Sequence, residues 1–415
     1  MTSAFYMRKL SAFLFPHNLG GFYMFFSLGI ILLSALLAAS LCKKLRMPPL
    51  IGMLAVGIAI GPYALDLIDG SILDISPELR KIALIIILTR AGLSLDLAAL
   101  KRVGRPAVLM CFVPACFEIL GMALLAPLFL HIRLMEALIL GAVIGAVSPA
   151  VIVPKMLKLS EKGYGADKGI PQLLLAGASV DDVFVIVMFS TFTGLEKNGT
   201  FSAFSLATIP VSVMLGVAAG LGIGCLLGKL FERIHIRDTE KLLLFLCAAF
   251  FLVAFEDTFG EKVPFSALIA VMSIGVAVQK IRPMAAERLS ARFNKLWVAA
   301  EIFLFVLVGA CVNLPYAAKA GISTVILILL VLLFRMAGVF VCLIKTNLNL
   351  KERLFCMLAY TPKATVQAAI GGIPLALGLD CGETVLTAAV IAILVTAPLG
   401  ALLIDKTYKK LLDRS

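Results

Sequence analysis

The stretch LLLAGASVDDVFVIVMFSTF, residues 173–192, sets two adjacent aspartates, Asp181 and Asp182, in the middle of about twenty mostly apolar residues. Neighbouring positions on a helix point roughly 100° apart, so one counter-charge can hardly serve both carboxylates. Two carboxylates about 5 Å apart repel by about 3 kcal/mol at an effective dielectric near 20. Both cannot stay ionised in an empty apolar site. The balance is restored when a proton binds, when a small metal cation binds, or when a lysine approaches.

The rest of the chain shows where such a pair is buried. Of 415 residues, 61% are hydrophobic and 15% charged, with a mean hydropathy of +1.06. That excludes a soluble domain of this size and points to a polytopic membrane protein. About 20 apolar residues cross the bilayer core as a helix. Thirteen stretches qualify: 21–42, 47–64, 80–100, 105–130, 134–158, 170–194, 203–230, 240–259, 264–280, 294–313, 321–344, 351–378 and 383–404. The expected fold is an all-α polytopic membrane protein with about 13 transmembrane helices, residues 1–415 forming a single integral membrane transporter. The first stretch is too long, and lacks a small-residue cleavage site, to be a removed signal peptide. Residues 1–20 read as a short interfacial leader.

A net charge of +12 would suit nucleic acid, but its distribution argues for a membrane instead. Of the 37 lysines and arginines, 26 fall in connectors on one side of the thirteen spans and 8 on the other. The positive-inside rule then places the protein in the cell (cytoplasmic) membrane with its N-terminus outside and its C-terminus in the cytoplasm. The nine cysteines lie almost all within spans, with no CxxC spacing, and read as small packing residues. His17, His131 and His235 fall outside span centres, which argues against a histidine proton relay.

The three remaining basic residues, Arg90, Arg335 and Lys363, sit within spans, as do the acids Glu118, Asp181, Asp182 and Glu301. An ionisable group at the bilayer centre costs roughly 2.5–3.5 kcal/mol on insertion scales, so each must face protein or a water-filled cavity. Asp181 and Asp182 lie about twelve residues into their span, near the midplane, where a carrier's site is expected. A site that trades a proton for a cation is the central part of an antiporter.

Two spans carry proline among polar residues at their centres. GAVIGAVSPAVIVPKML holds Ser148, Pro149 and Pro154, and LAYTPKATVQAAIGGIPLALG holds Thr361, Pro362, Lys363, Thr365, Gln367 and Pro374. Proline removes a backbone donor, and freed backbone groups at membrane depth are tolerated only beside protein or a cavity. The two motifs are offset by 213 positions, in the fifth and twelfth spans, which cross in opposite directions. That pattern predicts an inverted repeat with two discontinuous helices crossing at a central site. The other charges respect the same repeat: Glu118 and Arg335 are 217 positions apart, and Arg90 and Glu301 are 211 apart. Both couples are expected to be structural ion pairs. Gly216, Gly220, Gly224 and Gly228 recur every fourth residue, which fits either close packing within the chain or a dimer seam.

The segments GAVSPAVIVPKMLKLSEKGYGADKGIPQLLLAGASVDDVFVI and TPKATVQAAIGGIPLALG, with LTRAGLSLDLAALKR around Arg90, resemble the NHA-type sodium/proton antiporters. These form a branch of the cation/proton antiporters (solute carrier family nine, subgroup B in animals). The resemblance runs from about Pro48 to the C-terminus. It implies a core bundle at about 80–194 and 294–404, dimerisation or scaffold helices at about 21–64 and 203–280, a homodimer, and an elevator-like movement of the core. By motif, Asp182 resembles the family's ion-binding aspartate, and Asp181 the neighbour that pairs with the broken-helix lysine, here Lys363. Sodium or lithium and protons would then be cargo at Asp181 and Asp182, with no cofactor and no enzymatic activity. Many relatives carry an aspartate before the first broken-helix proline. This chain has Ser148, which removes a possible cation ligand and leaves the nearby helix ends less neutralised.

Four alternatives remain at this point. A potassium/proton exchanger and a sodium-coupled organic-anion carrier would share the architecture. An intramembrane aspartyl protease needs two aspartates on separate helices facing one water, which a pair on one helix does not offer. Uncoupled flux would instead mark a channel.

Overall fold

The computed structural model describes residues 20–414 apart from 46, 96–102, 199–202, 235 and 261–262. The expected leader lies outside the described residues except for its last position, as do Arg46, Lys101, Arg102, Lys262, His17 and His235. The described elements are helical, with one isolated antiparallel bridge between Tyr164 and Arg414. In order they are α1 (Gly20–Lys44), α2 (Pro49–Ile60), α3 (Gly70–Asp74), α4 (Ser76–Ser94), α5 (Arg105–Met110) and α6 (Val113–Leu130). Then come α7 (Leu134–Ile144), α8 (Pro149–Glu161), α9 (Ile170–Asn198), α10 (Ala203–Arg233), α11 (Asp238–Phe259) and α12 (Ala267–Ile281). The last are α13 (Pro283–Ala310), α14 (Leu314–Cys342), α15 (Leu350–Ala359), α16 (Thr365–Ile370), α17 (Ile373–Ala376) and α18 (Gly382–Leu411).

Hydropathy suggests thirteen even spans; the helices are less even. Nine helical stretches among the described residues are long and apolar enough to cross a membrane, and Pro49–Ile60, Ala267–Ile281 and Thr365–Ala376 are shorter apolar helices. At 1.5 Å per residue the 12 residues of α2 reach only about 18 Å, against a hydrocarbon core of about 30 Å. Hydropathy counts apolar residues whether or not they lie on one continuous axis. Helix α4 belongs to neither set because it carries Glu78, Arg80, Lys81 and Arg90 within nineteen residues. Helix α13 begins at Pro283, well before the expected start at 294.

Glycines set the closest helix approaches. A Cβ at Gly216 would come within 2.6 Å of Ser266 O, and one at Gly224 within 2.6 Å of Ala277 Cβ; one at Gly220 would overlap Ala270 O. The four-residue stripe of α10 is therefore covered by α12 of the same chain, and the dimer-seam reading of it falls away. Between α6 and α14, Gly121 lies against the Phe334 ring and Gly338 against Pro114 and Phe117. This close approach carries Glu118 and Arg335 toward each other.

Candidate functional site

Two interrupted helices frame the site. Helix α7 ends at Gly145, the chain runs non-helically to Ser148, and α8 restarts with Pro149 in its first turn. Proline is favoured there because its missing N–H would have no helical partner anyway. The second interruption runs from Tyr360, after α15, through Pro362 to Ala364 before α16 begins. The two unwound strands meet: Ser148 N donates to Pro362 O at 2.8 Å. A Cβ at Gly400 of α18 would overlap the Pro362 ring, so α18 closes directly over the second break. Gln367 Nε2 donates to Val143 O and Ile144 O at 3.2 Å and to Ala146 O at 2.9 Å. One amide thus satisfies carbonyls that the end of α7 leaves without helical donors.

Four charged side chains lie behind this junction, all fully buried: Glu118, Asp181, Arg335 and Lys363. Arg335 is the hub. Its Nη1 donates to Glu118 Oε2 at 2.7 Å and also to Gly145 O; its Nη2 donates to Asp181 Oδ2 at 2.8 Å; its Nε donates to Tyr360 O at 2.7 Å. The guanidinium also stacks 4.9 Å from the Tyr360 ring centroid, and Tyr360 Oη donates to Met110 O at 3.1 Å. Asp181 Oδ2 accepts a second bond from Val147 N at 2.7 Å. Lys363 Nζ donates to Glu118 Oε2 at 2.5 Å, and its backbone N donates to Thr396 Oγ1 at 2.9 Å. Two cations and two anions interlock, joining helices α6, α9 and α14 to both breaks.

Asp182 stands outside that network. It is 8% exposed where Asp181 is 0%, and its Oδ1 is buried with no hydrogen-bond partner. It lines a cavity of about 850 Å³ together with Pro149, Ala150, Arg90, Asn294 and Glu301. Asp181 Oδ1 and Ser148 Oγ are likewise buried and unpartnered. Oxygen atoms from a carboxylate and a hydroxyl suit a hard monovalent cation. Such unpartnered oxygens are what a desolvated ion would need.

The structure brings together Glu118 and Arg335, and it differs from the sequence expectation in three respects. Lys363 pairs with Glu118, not with Asp181, whose Oδ2 is taken by Arg335. The Glu118–Arg335 pair is joined to the aspartate through the same guanidinium, so it is no separate structural bridge. Arg90 and Glu301 form no ion pair among the described residues. Arg90 Nη1 instead donates to Asn294 Oδ1 at 2.9 Å and its guanidinium lies 5.5 Å from the Trp297 ring centroid. Both still face the cavity that holds Asp182. Thr361 Oγ1 turns back to Leu358 O at 2.9 Å, which holds the hydroxyl to the end of α15. Tyr360, Thr396, Asn294 and the capping role of Gln367 were not foreseen. Only Gln367 carried a signal, as a polar residue in an apolar half-helix.

A membrane-embedded bundle with two interrupted helices meeting at buried carboxylates is the architecture of a secondary carrier. Comparison with known proteins supplies the family. The profile of the family described as "Sodium/hydrogen exchanger, transmembrane" matches residues 31–407. Sodium/hydrogen exchanger 9B2 of Homo sapiens is 35% identical over 400 residues, 89% of this chain and 70% of that one. The Mus musculus 9B2 protein is 34% identical over 89% of this chain and 69% of its own length, and the Mus musculus 9B1 protein 32% identical over 94% and 72%. The sodium proton antiporter MjNhaP1 from Methanocaldococcus jannaschii, solved at pH 8, superposes with a TM-score of 0.82 at 21% identity, covering 94% of this chain and 99% of that one. The chain belongs to the transmembrane sodium/hydrogen exchanger family, a family of multi-pass transporters and not of enzymes.

Proposed function

We propose that the protein is a secondary active sodium (or lithium)/proton antiporter in which Asp182 carries a proton and a cation alternately. One observation carries this reading. Glu118 and Asp181 are balanced by Arg335 and Lys363, so Asp182 is the buried acid left over at this junction, with one oxygen unpartnered and the side chain in the lining of a cavity. An uncompensated carboxylate there must take up a proton or a cation, and each excludes the other. Asp181 serves as second ligand through its free Oδ1, with Ser148 Oγ in reach of the same junction.

The inverted repeat, with thirteen spans counted through its interrupted helices, is part of this proposal. It is supported by the meeting of the breaks at Ser148 and Pro362. We read 80–194 and 294–404 as the moving core and 21–64 and 203–280 as the scaffold and homodimer surface. Access then alternates as the core shifts like an elevator. The cavity lining includes Pro283 and Glu287, within the basic segment 280–295, and Gln279 just before it, which suits an opening to the cytoplasm with the N-terminus outside.

The test is proton movement in proteoliposomes on addition of sodium, lithium or potassium. Proton release driven by sodium and lithium supports the reading. A response to potassium alone favours the potassium/proton exchanger, and movement only with an organic anion favours the sodium-coupled carrier.

A further inference from the structure

Arg80 poses a question that antiport at Asp182 leaves open. It lies near the start of α4, is only 5% exposed, and donates through Nε to Ser76 O at 3.3 Å. Its Nη1 is buried with no hydrogen-bond partner, and among the described residues it forms no ion pair. The guanidinium lies on the backbone at Gly372, between α16 and α17, where a Cβ would overlap Nη1. Arginine cannot escape such burial by losing its proton. A buried polar group with no partner calls for an explanation, and a missing ligand is one.

Arg80 lines a cavity of about 460 Å³ between α4, α11, α12 and the α16–α17 segment, separate in its lining from the cavity at Asp182. Leu84, Ile85 and Ala369 make its walls apolar. Two other lining residues, Ile82 at 38% and Leu377 at 49%, are exposed, as side chains that meet lipid tails are. Glu78, exposed and also in the lining, forms no ion pair with Arg80 among the described residues, and Lys81 and Asp257 pair with each other at 2.8 Å. Arg80 is the one buried charge in that lining and calls for an anion, but a small inorganic anion would find apolar walls.

We propose that this cavity binds one acyl chain of an amphiphile with an anionic head, its carboxylate or phosphate paired with Arg80 and the chain along Leu84 and Ile85. The volume falls within the roughly 300–1,000 Å³ typical of small-molecule sites. The head can belong to a free fatty acid or to a bilayer phospholipid that inserts one chain.

The experiment is photolabelling of the delipidated, detergent-purified protein with a diazirine fatty acid, with adducts mapped by mass spectrometry. Labels are expected on residues 76–94 and 365–377, displaced by laurate and not by dodecanol. Displacement by phosphatidylglycerol but not phosphatidylcholine would identify the bilayer as a source; displacement by laurate alone would identify the free acid. Arg80→Gln should raise the laurate concentration for half-displacement at least tenfold. Ala376→Trp, which fills the cavity from an exposed wall position, should abolish labelling and decides the matter if Arg80→Gln does not fold. Adducts elsewhere, equal displacement by dodecanol, or wild-type labelling of folded Ala376→Trp would overturn the proposal. The readout is binding alone, so it stands or falls independently of antiport.

Discussion

Lys363 Nζ donates to Glu118 Oε2, while Asp181 takes Arg335 at 2.8 Å. The lysine and the aspartate that sequence motifs put together are therefore held by different partners. The consequence is a set of two positive and two negative groups closed off from bulk solvent, since all four are fully buried. Such a set is neutral only while it is complete.

Removing one member should be worse than removing a matched pair. Breaking one partner of a buried ion pair typically costs about 3–5 kcal/mol, because the survivor is stranded. Glu118→Gln and Lys363→Met should each lower the melting temperature in detergent, and the double variant should recover part of the loss. The same cycle with Glu118→Ala and Arg335→Ala should also fall short of additivity. Additive losses in both cycles would show that the four charges do not act as a set.

Arg335→Lys should behave as a severe change. A planar guanidinium reaches Glu118, Asp181, Gly145 O and Tyr360 O from one fixed fork, whereas an ammonium is a point donor. The expectation is a lower melting temperature together with at least a tenfold loss of sodium-driven proton movement. Transport close to wild type in Arg335→Lys would remove the guanidinium from the site's framework.

Gln367→Leu keeps much of the side-chain volume and removes the amide that donates to three carbonyls at and just beyond the end of α7. A buried polar group left unsatisfied costs about 1–3 kcal/mol. Thermal stability should drop measurably, with faster hydrogen exchange at residues 145–148. Unchanged exchange there would mean the first break holds its shape without the second.

The stripe on α10 gives a contrast within one helix. Gly220→Ala places a methyl against Ala270 O and Ser273, whereas nothing stands within 4 Å of a Cβ at Gly222. Gly220→Ala should lower stability and Gly222→Ala should leave it within about 0.5 kcal/mol, with the oligomer size the same in both. A change of oligomer in Gly220→Ala alone would return the stripe to a dimer seam.

Much of this was legible in the residues. Asp181 and Asp182 stood out because no single partner serves adjacent helical positions, and Pro149 and Pro362 because each stands among polar residues at a span centre, whereas Pro127 and Pro398 lie inside unbroken helices. Glu118 and Arg335 could be matched by their spacing in the repeat. Partner choice among several charges at one depth was not legible, since one guanidinium rotamer decides that Lys363 meets Glu118. Arg90 and Glu301 failed for a related reason: the guanidinium takes Asn294 and the Trp297 ring, both on the helix that carries Glu301. The short α2 and α12 were read as full spans because hydropathy does not record where a helix stops. Arg80 was assigned to a connector, although it is buried inside α4.

The central claim is that Asp182 alone exchanges proton for cation while the four charges behind it hold the frame. It is tested most directly by Asp182→Asn in proteoliposomes, assayed for sodium-dependent proton movement beside its melting temperature in detergent. The account predicts that exchange is abolished at every sodium concentration. The melting temperature should match wild type or exceed it, because a neutral amide is cheaper to bury than an unpaired carboxylate. Sodium-driven proton movement near the wild-type rate in folded Asp182→Asn would contradict it.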